Sequence, residues 1–329
     1  MYKKFVKSGI IIQLIVFLTI AIVLWFPAFI SPQAPVKTQF DGPLYTFFYD
    51  LLKDYVLISV ITAFVFVVIS SLLTFYIFNS FFLFGRENLF PAILTVLFFS
   101  WNVDYLTLHS VLFAYPFLLW IMFNVFRLYN ASQVAAKIFG ISFWLGITAL
   151  IYIPLVYIVL FVWIILLIFR YSEWRFYVVA LLSFVLPFVY YVFGLFWNNN
   201  ILWGYNDFIH HVFKLNFEKN ILPVNHTVYL VGYGIISLIS LFAALVLMRE
   251  KHISDKKRSL AVIYFLFTAL LCIVLTGFSI QIVTMSFLFI FPFVFGITGV
   301  MFIPKRTMVL DVIFSLFLIL FFAYRYIWA

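Results

Sequence analysis

The chain has 329 residues, of which 67% are hydrophobic, 23% aromatic and only 9% charged. A soluble globular domain has an apolar share nearer half, so a mean hydropathy of +1.20 excludes a soluble domain and indicates a membrane protein. The formal net charge of +9 comes from 20 Lys and Arg against 11 Asp and Glu; without a folded soluble surface to gather those bases, a nucleic-acid partner is excluded too.

Repeated apolar stretches of about 18 to 22 residues match the roughly 30 Å hydrocarbon thickness of a bilayer. Backbone in lipid must satisfy its own hydrogen bonds, and long runs without period-two alternation select helices over a barrel. The expected fold class is all-α, a polytopic helical membrane protein. The first run, Gly9 to Ile30, follows Lys3, Lys4 and Lys7. A signal peptide shares these features, but the run is longer than a signal core and has no small-x-small cleavage site, which favours a retained anchor. In chain order the predicted spans are 9–30, 55–79, 89–102, 108–126, 137–151, 154–169, 176–196, 226–248, 259–276, 282–303 and 308–327, 11 in all, with the amino terminus cytoplasmic.

Charge decides two of these boundaries. If 137–169 crossed once, Arg249, Lys251, Lys256, Lys257 and Arg258 would lie outside, against the positive-inside rule. Two short helices turning at Tyr152-Ile153-Pro154 restore it. The block 89–126 splits likewise at Asn102, Asp104 and His109. The resulting topology puts 15 of the 20 Lys and Arg inside, so the net charge is a topology signal. The lone Cys272 rules out a disulfide within the chain and any CxxC pattern. Heavy use of Phe (47 residues), with Ile, Tyr and Asn, suggests an AT-rich bacterial genome, hence a bacterial inner membrane.

Three outer segments carry most of the reactive side chains. The first, 31–54, holds Asp41, Asp50 and Asp54; the second, 102–109, holds Asn102, Asp104 and His109. The third, 197–225, holds Asp207, His210, His211, Lys214, Glu218 and Lys219, with His226 just after. Asp41 precedes Gly42-Pro43 and a stretch, Leu44 to Leu52, that reads as an amphipathic interfacial helix. Asp41 is either a functional acid at the membrane face or a cap or Asx turn for that helix. Asp104 and His109 either line a recessed cavity or sit on a solvated tip. Asp41 and Asp104 together could bind a divalent cation, or one could act as base while the other positions it. Adjacent His210 and His211 point about 100° apart on a helix and suit one metal poorly. Lys214, Lys219 and the neighbouring histidines could hold a phosphate or lipid head, or be a solvated loop.

An inside start, one span, an outer loop with an acid near its beginning and an interfacial helix resemble the GT-C superfamily of membrane glycosyltransferases, which use polyprenyl-phosphate sugars. Phe99-Ser-Trp-Asn-Val-Asp104-Tyr-Leu-Thr-Leu-His109 looks like that superfamily's second outer loop. The resemblance covers roughly residues 1–196, as a module with outer loop 31–54 and short helix hairpins; 197–225 is then an outer polar loop and 226–329 four further helices. It implies catalytic roles for Asp41 and Asp104, with His109 and Asn102 supporting, and Lys214, Lys219, His210, His211 and His226 at the phosphate or lipid head. It also implies membrane lipid and a lipid-linked sugar donor as partners. The chain departs from the pattern in having Asp-Gly where many members have two adjacent acids. It is also similar to uncharacterised multi-pass inner-membrane proteins of Bacteroidota. The alternatives are a non-catalytic subunit of an envelope assembly or secretion complex, with a membrane-protein partner, and a lipid transporter.

Overall fold

The computed structural model describes residues 9–81, 88–101, 106–129, 131–197, 238, 241–242, 253–275 and 285–301. Every element among them is helical, and their single β feature is an isolated bridge between Asp41 and Tyr152. Helix α1 spans Ile10–Ile30 and buries Gln13, Phe17, Ala21, Leu24, Trp25 and Ala28, one stripe at helical spacing. Its other faces leave Ile11, Ile15, Ile22 and Phe26 exposed, as suits a helix bathed in lipid. Helix α2, Pro43–Leu52, opens with Pro43 at its first turn, where a missing N–H is no loss. It buries Tyr45 and exposes Phe47, Phe48 and Leu51, in keeping with the predicted interfacial helix.

Helix α3, Val56–Ser80, turns Ser59, Ala63, Ser70 and Thr74 inward. Small residues let helices approach closely in lipid, and the buried hydroxyls are satisfied locally, Ser70 donating to Phe66 O at 2.7 Å and Thr74 to Ser70 O at 2.9 Å. Helix α4, Phe90–Phe99, is buried at every position; at about 15 Å it is only half the hydrocarbon thickness. Helix α5 is Ser110–Leu128, also buried on most faces, and α6 is Val134–Ile151. A 3-10 turn, Ile153–Ile158, leads into α7, Val159–Ile168. Helix α8 is Trp174–Trp197, α9 is Ile253–Leu275, and a second 3-10 turn, Phe287–Phe289, enters α10, Ile290–Met301.

Five of these helices, α1, α3, α5, α6 and α8, are long and apolar enough to cross a membrane; 90–99, 153–168 and 287–299 are shorter apolar helices. The two boundaries placed by charge fall where helices end: α4 stops at Phe99 before α5 starts at Ser110, and α6 stops at Ile151. Predicted span 308–327 lies outside the described residues, as does 226–248 apart from helical positions 238, 241 and 242.

The two ends of α5 differ in chemistry. At its last turn Arg127 O accepts from Lys137 Nζ at 2.9 Å and Leu128 O from the Tyr171 hydroxyl at 3.0 Å. Lys257 Nζ lies 4.9 Å from the Tyr129 ring and the Arg258 guanidinium 4.7 Å from that of Phe81. At the opposite end of α5 sit His109 and Asp41. Aromatic contacts join α10 to this bundle, with Phe291 6.0 Å from Phe78 and Phe293 5.9 Å from Phe98.

Helices α6 and α8 approach closely at Gly146, where a Cβ would lie 2.4 Å from the backbone oxygen of Phe184 and 2.9 Å from Pro187 Cγ. Gly146→Val is expected to force the helices apart and to destabilise the detergent-purified protein by about 1–3 kcal/mol. Gly140→Ala on the same helix, where a Cβ meets nothing within 4 Å, should leave the melting temperature unchanged or raise it. Thermal unfolding of the two variants side by side checks this.

Candidate functional site

Residues 31–42 run between two neighbours and bond to both. Val36 N donates to Leu108 O at 2.9 Å, and on the other side Gly42 N donates to Ile151 O at 2.8 Å while Ile153 N donates to Phe40 O at 3.0 Å. The loop thus joins the start of α5 to the α6–α7 link. Tyr45, fully buried at the first turn of α2, fixes the first junction: its hydroxyl lies 2.8 Å from Val36 O and 2.9 Å from Leu108 O, both acceptors. Gly42 permits the second junction, because a Cβ there would sit 2.0 Å from Leu150 O.

Asp41 lies within the second junction, between Phe40 and Gly42, and is 7% exposed. Its Oδ2 accepts from Thr38 N at 2.6 Å and its Oδ1 from the Thr38 hydroxyl at 2.5 Å, while Asp41 N reaches back to Thr38 O at 3.4 Å. The Ser110 side chain, at the start of α5, stands beside the same carboxylate and favours its charged form. Asp41 does not cap α2: the N-cap is Gly42, with no side-chain cap bond. It closes the turn behind it and ties that turn to α5.

Burial raises the Asp41 pKa above 3.8, and the hydrogen bonds from Ser110 and Thr38 and the charge of Lys37 oppose this only in part. Taking a carboxylate out of water disfavours its charged form, and these neighbours do not replace all of its hydration. The result is an acid with a greater hold on a proton than its surface counterparts.

His109 is wholly buried, so no solvated tip is found at that residue. Its Nδ1 accepts from Leu112 N at 3.2 Å, making it the N-cap of α5, and its ring stacks on Phe287 at 5.0 Å. Burial pushes its pKa down to about 3. A neutral ring whose Nδ1 accepts carries its proton on Nε2, and this Nε2 is buried with no hydrogen-bond partner among the described residues. His109 is therefore a buried N–H donor with a fixed tautomer, unsuited to act as a base or a metal ligand in this arrangement.

Of the other residues singled out from sequence, Asp50 and Asp54 are exposed, and Asp50 pairs with Lys53 at 3.4 Å on the surface. Asn102, Asp104, His210, His211, Lys214, Lys219 and His226 lie outside the described residues. Among the described residues no group of three or more His, Cys, Asp or Glu could hold a metal ion. Asp41 accepts from the Thr38 amide and hydroxyl, and Asp104, with which it was expected to share a divalent cation, is among the residues outside the description. Thr38, Tyr45, Ser110 and Tyr152 were not singled out from sequence. Their one signal was position: Thr38 is three residues before Asp41, and Tyr152 and Ser110 stand at breaks on the same predicted side.

Two of the buried titratable groups, Asp41 and His109, give stability opposite pH slopes. Asp41 binds its proton more tightly when folded, so its contribution falls as pH rises from 3.8 through the raised folded value. His109 binds its proton less tightly when folded, so its contribution is lost as pH falls from 6.5 towards about 3. Relative to wild type, Asp41→Asn should gain stability as pH rises through the first window, and His109→Asn should gain as pH falls through the second. Denaturation midpoints of the three proteins across pH 3–8 measure this.

No family model matches the chain, and no curated protein or solved structure matches it.

Proposed function

We propose that the chain is a multi-pass bacterial inner-membrane glycosyltransferase that moves a sugar from a polyprenyl-phosphate donor to an envelope glycan or lipid on the outer face. The observation that supports this best is Asp41 itself, a nearly buried carboxylate with a raised pKa, gathered with Ser110 and Tyr152 at the bundle end away from the bases Arg127, Lys137, Lys257 and Arg258. A general base works best when its pKa is drawn towards the working pH. The amino terminus is then cytoplasmic and the chain crosses 11 times.

In this mechanism an acceptor hydroxyl lies against Asp41. Its oxygen attacks the anomeric carbon, its proton passes to the Asp41 carboxylate, and the bond from that carbon to the phosphate oxygen breaks. The electron pair leaves with polyprenyl phosphate. Asp104 assists Asp41, Asn102 and His109 support the pair, and Lys214, Lys219, His210, His211 and His226 receive the phosphate. A neutral His109 Nε2–H can donate to an oxygen of either substrate.

A second function has its own supporting observation. The bonds from Thr38 and Ser110 to Asp41 would hold the loop in place without any chemistry, as in a non-catalytic subunit of an envelope assembly. Asp41→Asn and Asp104→Asn should each lower sugar addition about 100-fold or more at unchanged protein level, read from the envelope glycan of complemented null cells. Unchanged glycan in both variants, with stable co-purification of another membrane protein, would instead establish the subunit.

A further inference from the structure

The bridge between residue 41 and residue 152 fixes more than the backbone. Its two framing bonds run from Gly42 N to Ile151 O and from Ile153 N to Phe40 O. That pattern makes Asp41 and Tyr152 a non-hydrogen-bonded antiparallel pair, the narrow kind, with Cα atoms about 4.5 Å apart and side chains on one face. Tyr152 is 1% exposed, yet its hydroxyl has no hydrogen-bond partner among the described residues. A buried tyrosine hydroxyl ordinarily finds one. Burial and the neighbouring Asp41 charge both raise the Tyr152 pKa, so the phenol keeps its proton and serves as a donor.

Asp41 complements it. Thr38 supplies two donors, with the Ser110 side chain beside them, whereas a carboxylate offers about four lone-pair sites. A single hydroxyl that donates to Asp41 and accepts from Tyr152 would complete both groups at once. We propose that Tyr152 is an acceptor-binding residue, and that the Asp41–Tyr152 pair receives one alcohol hydroxyl of a carbohydrate, Asp41 taking the hydrogen and Tyr152 bonding the oxygen's lone pair. The carbohydrate identity of the alcohol rests on the glycosyl-transfer reading; the pairing of the two side chains does not.

Tyr152→Phe removes one oxygen atom and leaves the ring packing and the bridge intact. The full chain in lipid nanodiscs is titrated with the methyl glycosides of glucose, galactose and mannose, followed by saturation-transfer NMR. At least one glycoside is expected to bind the wild type, about tenfold more weakly to Tyr152→Phe and weakly to Asp41→Asn, while the melting temperature of Tyr152→Phe stays equal or rises. Failure of every glycoside to bind the wild type, or equal binding to wild type and Tyr152→Phe, would overturn the proposal and leave water as the only occupant of the hydroxyl position. A lower melting temperature with unchanged binding would show that the hydroxyl serves the fold. Hydroxyl-dependent glycoside binding without sugar transfer from a polyprenyl-phosphate donor would keep this site and remove the transferase function. Wild-type transfer by Tyr152→Phe would do the reverse.

Discussion

The candidate site depends on one short antiparallel contact, where Phe40 to Gly42 lie against Ile151 to Ile153. It joins segments more than a hundred positions apart in sequence and does so with two backbone hydrogen bonds. In an apolar surround the value of such bonds lies in what they prevent: each unpaired buried amide or carbonyl costs about 1–3 kcal/mol. The loop after α1 and the break after α6 both expose backbone that a continuous helix would have satisfied. Each supplies what the other lacks.

The same contact decides the chemistry. It brings Asp41 away from the surface, where it would ionise as an ordinary acid, into a place ringed by Thr38, Ser110 and Tyr152. Val36, Leu108 and Tyr45 extend the tie to the first turn of α5. His109 then caps that helix with one ring nitrogen and keeps a buried N–H on the other. A carboxylate acceptor, a phenol donor and an imidazole donor thus reach one end of the bundle from three segments, while the described bases on α5, α6 and α9 gather at the other.

Much of the helical layout was legible because charge and apolar length are strong signals in lipid. The break at Tyr152-Ile153-Pro154 followed from where Arg249 to Arg258 had to lie, and Gly42-Pro43 before an aromatic run marked α2. Contacts were not legible. Helix α4 is apolar and buried on all sides, so it has no periodic face from which to infer a neighbour. The pairing of residue 41 with residue 152 leaves no trace in composition, since any two apolar breaks on one side could meet. Asp41 stood out as a rare acid, but its partners are hydroxyls, and Ser, Thr and Tyr are too common in helices to draw notice. His109 was noticed for its charge-bearing ring, whereas its place in the fold follows from its capping nitrogen.

The pairing itself is open to direct measurement. Cysteines replacing Asp41 and Tyr152, in a chain whose one native Cys272 is changed to Ser, would have Cα atoms about 4.5 Å apart, within the usual span of a disulfide. Mild oxidation of the membrane-embedded protein should join them rapidly within one chain, detected by mass spectrometry of the linked peptides, while a control pair at 39 and 152 joins slowly. If the 41–152 pair forms no disulfide, or forms one no faster than the control, the two segments do not lie together and the account of the site fails with them.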